Sequence, residues 1–363
     1  MRQIKILDRY LLQEFLKALL YSLLSFVFIF IIVDLFEDIA RYIDKRVGLL
    51  TICRFYFFQI PSITVLIIPV AALLSCFFSV GSLSRRNELT AILTSGISLR
   101  RALLPLLLFG ILLSLSVFLM EDVLVPYGNK VKGRIEDVEI NQRPPTNPYY
   151  KKNFNYLGEE GRVYRAELFD GGKKELVNVT YYEFGKGSSL LRRIDAEKAV
   201  WAEEGWVFLR GVMRTFGEDG EEELVNFGEL PLPQLKETPL DFSREEKDPE
   251  EMSIFELRRY IYKKKRGGEG VEKEEVDLHT KFSFPLANLI VILFGAPLAA
   301  KVRRSGVAFG FVLSLTLCFL YWGLLQIAKA LGQNGTLPPF LAAWFPNLLF
   351  GAGGLILIWR ARR

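Results

Sequence analysis

The chain has 363 residues, 50% of them hydrophobic and 24% charged, with a formal net charge of +5. Its mean hydropathy of +0.22 excludes an ordinary soluble domain, and its charge excludes a chain wholly embedded in lipid. The two must be segregated, and they are: long uncharged runs lie toward both ends and a charge-dense stretch fills the middle, the pattern of a membrane protein carrying a water-exposed domain.

The N-terminal MRQIKILDRYLLQEFLK is charged and amphipathic, and no small-residue cleavage site follows the first apolar run, so no cleaved signal peptide is expected. A bilayer core of about 30 Å takes roughly 20 apolar residues as helix. Residues 18–36 meet this as span one, an uncharged run from Ala18 to Val33 continued by Leu35 and Phe36 around Asp34. Span two, residues 55–84, holds no charged residue; its Pro61 and Pro69 are tolerable where neighbouring helices satisfy the freed carbonyls. Then comes SRRNELTAILTSGISLRR, residues 84–101, which is helix-prone and basic at both ends, and after it span three, residues 102–120.

The middle reads mainly as β. Val177, Val179 and Tyr181 alternate with Asn178, Thr180 and Tyr182. Glu203-Glu204-Gly205 marks a turn between AEKAVWA and WVFLRGVMRTF, and Asp219-Gly220 marks another before EEELVNF. Short strands at this spacing predict a small sandwich or jellyroll. The segment MSIFELRRYIYKKKRGG follows, with a capping box at Ser253 and Glu256 and a stop at Gly267-Gly268. Spans four, five and six are expected at residues 280–300, 305–329 and 337–359, with Pro285, Pro297 and Pro346 inside. The predicted class is thus a six-span helical membrane protein, three spans on each side of an inserted all-β domain. Its parts are an N-terminal membrane half at 1–125, a β domain with linker helix at 126–270 and a C-terminal membrane half at 271–363.

Orientation follows from basic residues beside the spans. With the N-terminus inside, the inner segments hold Arg2, Lys5, Arg9, Lys17, Arg85, Arg86, Arg100, Arg101, Lys301, Arg303, Arg304, Arg360, Arg362 and Arg363. The short outer loops hold Arg41, Lys45, Arg46, Arg54 and Lys329. Both termini and residues 84–101 are then expected in the cytoplasm, and the β domain outside.

Catalytic signals are missing. There is no GxxxxGK[ST] phosphate loop, HExxH or GxSxG, and no metal-ligand spacing; the single histidine, His279, is expected to be structural. Cys53, Cys76 and Cys318 show no CxxC pairing and are expected as small buried hydrophobes. Spans two to six carry essentially no ionisable residue between their ends, which disfavours an ion-coupled carrier. Anything this chain moves is expected to draw its energy from a partner.

On pattern alone, residues 84–101 fit two roles. Leu89, Ile92 and Leu93 fall at helical spacing and suit an apolar groove on a soluble partner, with Glu88 as the charged contact. Alternatively, the segment lies at the interface and its arginines hold phospholipid headgroups. Gly306 and Gly310, and the cluster Gly351, Gly353 and Gly354, suit close helix packing, within one subunit or against another.

LDRYLL at 7–12, RRNELTAILTSGIS at 85–98, MSIFEL at 252–257, KFSFPLANL at 281–289 and GAPLA at 295–299 occur in an order and topology that resemble the lipopolysaccharide-export permeases, the paired membrane subunits of the Lpt transporter. LDRYLL resembles the G-type subunit more than the F-type. The resemblance implies an inner-membrane permease paired with a paralogous permease above a dimeric cytoplasmic ABC ATPase. ATP and Mg would be bound by that ATPase, with no cofactor in this chain. The β-jellyroll would pass lipopolysaccharide to a membrane-anchored jellyroll bridge protein, and no nucleic acid is involved. Arg85, Arg86, Glu88, Leu89, Ile92 and Leu93 would form the ATPase-coupling helix, with Glu88 matching the family's coupling glutamate, and span five would meet the partner's span one at a lateral gate.

Such a substrate needs apolar walls and cations at the outer-leaflet level. Phe26, Phe28 and Phe30 of span one and Phe309, Phe311, Leu313 and Phe319 of span five supply the walls. Arg41, Lys45, Arg46 and Arg54 supply the cations, unless they only anchor ordinary phospholipid. Where members of that family can carry a lysine near the outer end of span one, this chain has Asp34, which would repel phosphate. The competing reading is a membrane-anchored envelope scaffold without transport activity.

Overall fold

The computed structural model describes residues 6–142, 149–158, 162–185, 189–202, 205–217, 222–235, 237–243, 249–266, 270–301 and 307–360. The expected turns at 203–204 and 219–220, the stop at Gly267-Gly268, Gly306, and the basic residues Arg2, Lys5, Arg303, Arg304, Arg362 and Arg363 lie outside them. The chain divides into two compact units, one of Met1–Arg143, Pro249–Ile254 and Glu272–Arg363, the other of Pro144–Asp248 and Phe255–Val271.

The first unit is helical, and six of its helices are long and apolar enough to cross a membrane. Helix α1 (Ile6–Glu37) contains span one, and a short helix α2 (Ile39–Asp44) follows it. Helix α3 (Leu49–Arg85) contains span two and is the centre of the bundle, with 78% of its most apolar window buried against 11% for α1. Helix α1 leans on α3 through one stripe, Leu11, Phe15 and Leu19, which joins Ile63, Ala71, Leu73 and Cys76 in the main core. Helix α4 (Glu88–Thr94) and helix α5 (Leu99–Leu119) come next.

Span three does not stop at Met120. The chain continues through a π-helical turn (Met120–Leu124), helix α6 (Val125–Arg134) and a second π-helical segment (Ile135–Ile140). With α5 the continuous stretch Leu99–Ile140 has 42 residues and rises about 63 Å, roughly twice the hydrocarbon thickness. The polar sequence after Leu119 keeps helical hydrogen bonding after it has ceased to be apolar. The returning segment Pro249–Ile254 is fastened to this extension. Asn129 Nδ2 donates to the Glu250 carbonyl (3.2 Å), and Asp122 Oδ1 accepts the Ile254 N–H (2.7 Å). Asp122, at a π-helical turn, thus satisfies an N–H that the helix starting at Ile254 leaves free.

The second unit is the expected all-β insertion. Its strands are β1 (Tyr150–Leu157), β2 (Arg162–Asp170), β3 (Glu175–Phe184), β4 (Leu190–Ala202), β5 (Gly205–Phe216) and β6 (Glu222–Leu232). They form one antiparallel sheet in chain order, each paired to its sequence neighbour. One row breaks the pleat across all six strands. Asn153, Glu167, Asn178, Glu197, Arg210 and Gly228 lie opposite one another by register, and every one is exposed. Asn153, Asn178 and Arg210 have φ near +50°. The buried face changes phase at this row: Tyr164 and Ala166 on β2 are followed by Phe169, and Ile194 and Ala196 on β4 by Ala199. Left-handed residues in a strand re-aim the side chains beyond them, so the sheet carries a crease and both flanks contribute to one core.

Helix α7 (Pro239–Ser243) fills that core. Its Phe242 ring packs 4.7–5.7 Å from Phe154, Tyr156, Tyr164, Phe169 and Trp206. Trp206 Nε1 donates to the Glu237 carbonyl (2.7 Å), and Tyr164 Oη donates to Glu237 Oε2 (3.0 Å). Burial, with the Glu237 charge next, raises the Tyr164 pKa, and burial also raises that of Tyr181. Unfolded, these phenols ionise near pH 10; folded, they stay protonated to higher pH. The β unit is therefore expected to hold constant stability with respect to these groups up to about pH 10 and to lose it above. Tyrosine-ionisation absorbance recorded alongside protease resistance checks this. Helix α8 (Ile254–Arg266) corresponds to the predicted linker helix.

Helices α9 (Glu272–Lys301), α10 (Val307–Gln333) and α11 (Pro339–Arg360) contain the last three spans. One turn after Pro285, side chains join the α9 backbone ladder. Asn288 Nδ2 donates to the Pro285 carbonyl (2.9 Å), and the Leu289 N–H turns to Ser114 Oγ on α5 (3.2 Å). Tyr321 on α10 donates to Asn347 Oδ1 on α11 (2.8 Å), whose Nδ2 donates to the Ser283 carbonyl of α9 (2.6 Å). A Cβ at Gly354 would sit 3.0 Å from Leu293, and one at Gly310 3.3 Å from Phe77. Both glycines therefore serve packing within this chain. Cys76 and Cys318 are buried as expected, but Cys53 is exposed.

Candidate functional site

One end of the helical unit gathers the start of α1, the end of α3, α4, the start of α5 and the end of α11. The α3–α4–α5 connection is built from two left-handed corners. Asn87 has φ +59° before α4, and Gly96 has φ +89° after it, its N–H closing onto the Leu93 carbonyl (3.1 Å). A side chain at Gly96 would be strained by the backbone alone. Ser98 then caps α5 by accepting the Arg101 N–H (3.4 Å).

Helix α4 presents a mixed face. Glu88 Oε2 accepts from Tyr10 Oη (3.0 Å), and its carboxylate lies 3.9 Å from Arg86. Leu89 is only 5% exposed and belongs to this chain's own core, with Ile92 packed against that core. Of the three apolar residues read as groove-filling, only Leu93 is left exposed, beside Ala91, Thr94, Ser95 and Gly96. The expectation that Leu89 and Ile92 reach outward is corrected, because a seven-residue helix between two long spans needs an anchor and these two provide it. Arg85 is half-buried and Arg86 exposed. Arg101 grips Asp8 with two hydrogen bonds (2.9 and 2.7 Å), and Arg100 donates to the Ile358 and Trp359 carbonyls at the end of α11 (3.2 and 3.3 Å).

At the opposite end of α1 and α3, the four cations read as phosphate contacts mostly have protein partners. Arg41 pairs with Glu136 (2.7 Å) and Asp38 (3.5 Å), Lys45 donates to Asn141 Oδ1, and Arg54 pairs with Glu139 (3.2 Å). Of these four, only Arg46 is exposed and has no charged partner among the described residues. Together these contacts form a belt that fastens the α2 region to the second π-helical segment. The sequence reading missed it because Glu136 and Glu139 lie some ninety residues away and were assigned to the β domain. Asp34, in doubt for phosphate, accepts from Tyr56 Oη (2.9 Å). In a double-mutant cycle, Arg41→Ala and Glu136→Ala are expected to couple by about 1 kcal/mol, because the pair is short but part-exposed. Thermal unfolding of the detergent-solubilised chain measures that term.

The apolar wall residues fall into two groups. Phe26, Phe30 and Leu313 pack against the main core, while Phe28, Phe309, Phe311 and Phe319 are exposed. Helices α1 and α10 both lie against α3 and each leaves an apolar face uncovered, with Leu20, Leu24, Phe28 and Phe36 on α1 and Val312, Phe319 and Leu320 on α10.

The C-terminal half also holds charge that the span boundaries had hidden. Lys281 and Glu274 on α9 are buried, and Asp277 pairs with Lys329 on α10 (2.8 Å) and accepts from Gln333 (3.3 Å). Glu121 lies within the electrostatic reach of Lys281 and Lys329. Runs of neutral residues located the spans but not these helix-end charges. No group of three or more metal-ligating side chains occurs among the described residues, and His279 packs edge-on against Phe340.

Residues 9–360 match the family model described as "Lipopolysaccharide export system permease LptF/LptG". The chain is 21% identical over 390 aligned positions to the lipopolysaccharide export system permease protein LptG of Escherichia coli K12, covering 100% of this chain and 99% of the relative. It is similar to the LptG protein of Escherichia coli O6:H1 by the same measures.

Proposed function

Given that the chain belongs to the LptF/LptG family of lipopolysaccharide export system permeases, we propose that it is the G-type subunit of an ATP-driven exporter that extracts lipopolysaccharide from the inner membrane. The observation that carries this reading is the segment at residues 85–98. It holds a short helix with Glu88 at its first position and an exposed outer face, bracketed by left-handed corners, and this is the shape of a rod that another protein can push. Glu88, Arg86 and Leu93 contact a dimeric cytoplasmic ATPase that binds ATP and Mg; Leu89 and Ile92 root the rod in the bundle. The LDRYLL start and the two G-type relatives favour G over F.

In this reading both termini are cytoplasmic and the creased β-sheet is periplasmic, consistent with the basic residues gathered at the α4 end. A paralogous permease covers the exposed faces of α1 and α10, and lipid A acyl chains pass between them along Phe28, Phe309, Phe311 and Phe319. Arg46 is the one cation of the outer cluster free to meet a phosphate. The β unit hands the glycolipid to a membrane-anchored jellyroll protein. Affinity purification from the native host, with proteins and lipids identified by mass spectrometry, tests the assembly. Recovery of an ABC ATPase, a second permease and lipopolysaccharide is expected. Recovery of this chain with periplasmic proteins alone, while other membrane complexes survive, would favour the scaffold.

A further inference from the structure

Helix α1 is held unusually. Only 11% of its most apolar window is buried, the smallest share of the six spanning helices, and one face packs along the bundle from Leu11, Phe15 and Leu19 up to Phe26, Phe30 and Asp34. Its foot, by contrast, is fastened twice to the segment that carries α4. Tyr10 donates to Glu88, the first residue of α4. Asp8 takes both Nη1 and Nη2 of Arg101, the third residue of α5, in a fork that fixes orientation as well as distance. The Asp8 side chain is only 15% exposed, so this pair is shielded from salt more than a surface pair. Single-residue corners at Asn87 and Gly96 let α4 tilt as a rod, since hinge motions concentrate in a few such residues.

We propose that Asp8, Tyr10 and Arg101 are positioning residues that pass the movement of α4 to α1, so that the helix with the most exposed apolar face is driven from its foot. This rests on the exporter reading, in which α4 is where the ATPase pushes. When α4 tilts, Glu88 carries Tyr10 and the start of α5 carries Asp8. Helix α1 is seated on α3 from Leu11 to Asp34, so it rolls about that contact line and its exposed face of Leu20, Leu24 and Phe28 moves with it. None of the three residues touches substrate or nucleotide.

The test uses the whole purified transporter in proteoliposomes, with three readouts: co-purified ATPase, ATP hydrolysis, and lipopolysaccharide delivered to a soluble acceptor. The variants are Asp8→Asn, Arg101→Gln, Tyr10→Phe and the exchange Asp8→Arg with Arg101→Asp. Expected are ATPase retention and hydrolysis within about twofold of the parent for every variant, with delivery down about fivefold or more for Asp8→Asn and Arg101→Gln and about threefold for Tyr10→Phe. The exchange, which restores an ion pair with reversed polarity, is expected to bring delivery back to within about twofold. A merely structural role predicts that hydrolysis and delivery fall together. The proposal is overturned if the single variants deliver as the parent does, if they lose the ATPase, or if the exchange is no better than the singles. A parent complex that recruits no ATPase or delivers no lipopolysaccharide would overturn the exporter reading itself, and this inference with it; that result appears before any variant is made.

Discussion

Glu88→Arg is expected to leave the chain inserted and folded while cutting lipopolysaccharide export by roughly 30-fold or more, from the loss of about 2 kcal/mol or more that truncating one side of a paired interfacial charge costs. Two physical effects combine. The carboxylate that accepts from Tyr10, and that in the exporter reading meets the ATPase, is removed, and a fifth cation joins Arg85, Arg86, Arg100 and Arg101 in one short segment. Folding is spared because Leu89, buried in the main core, roots α4 without using the Glu88 side chain. Glu88→Ala, which removes the contact without adding repulsion, is expected to be milder. Membrane insertion, ATPase co-purification and export measured on the same preparations check this. Export within twofold of the parent would contradict a coupling role.

The second large effect falls in the β unit. Trp206 is fully buried, stacks on Phe242, meets Trp201 edge-on, and donates to the Glu237 carbonyl. Trp206→Ala is expected to destabilise the unit by about 3–5 kcal/mol through lost burial and an unfilled cavity. That is a large part of the stability of a domain of this size. Trp206→Phe keeps an aromatic ring but leaves the Glu237 carbonyl without the indole donor, for about 1–2 kcal/mol. Limited proteolysis of the full-length chain in detergent follows the β unit, and the helical bundle, with its separate core, should stay resistant. Equal protease resistance of Trp206→Ala and the parent would show that Phe242 and Trp206 are not the centre of that core.

The spans were legible because each needs little more than an uncharged run, strand β3 because its residues alternate, and β4 to β6 because turn signals separate them. What escaped was everything set by partners distant in sequence. The continuation of span three to Ile140 looks like polar loop sequence, yet its acids neutralise Arg41 and Arg54. The crease through Asn153, Asn178, Arg210 and Gly228 is a one-residue phase slip, and alternation counted within any single strand hides it. Strands β1 and β2 went unread for a related reason: the pattern of Arg162–Asp170 is broken at Glu167, on that same row. At the α4 end, the sequence marked Glu88 and the arginines through a resemblance. It could not show that Leu89 turns inward or that Asp8 and Tyr10 reach across to α5 and α4.

The exporter reading stands or falls on movement of glycolipid. Proteoliposomes containing this chain, its paralogous permease, the ATPase and lipopolysaccharide should, on adding ATP and Mg, transfer lipopolysaccharide to the soluble domain of a jellyroll acceptor that carries a photo-crosslinker. The account predicts a crosslinked product that accumulates with time in ATP and stays at background with a non-hydrolysable analogue or with Glu88→Arg. Product that forms equally without ATP, or no product from a complex that hydrolyses ATP, would contradict it.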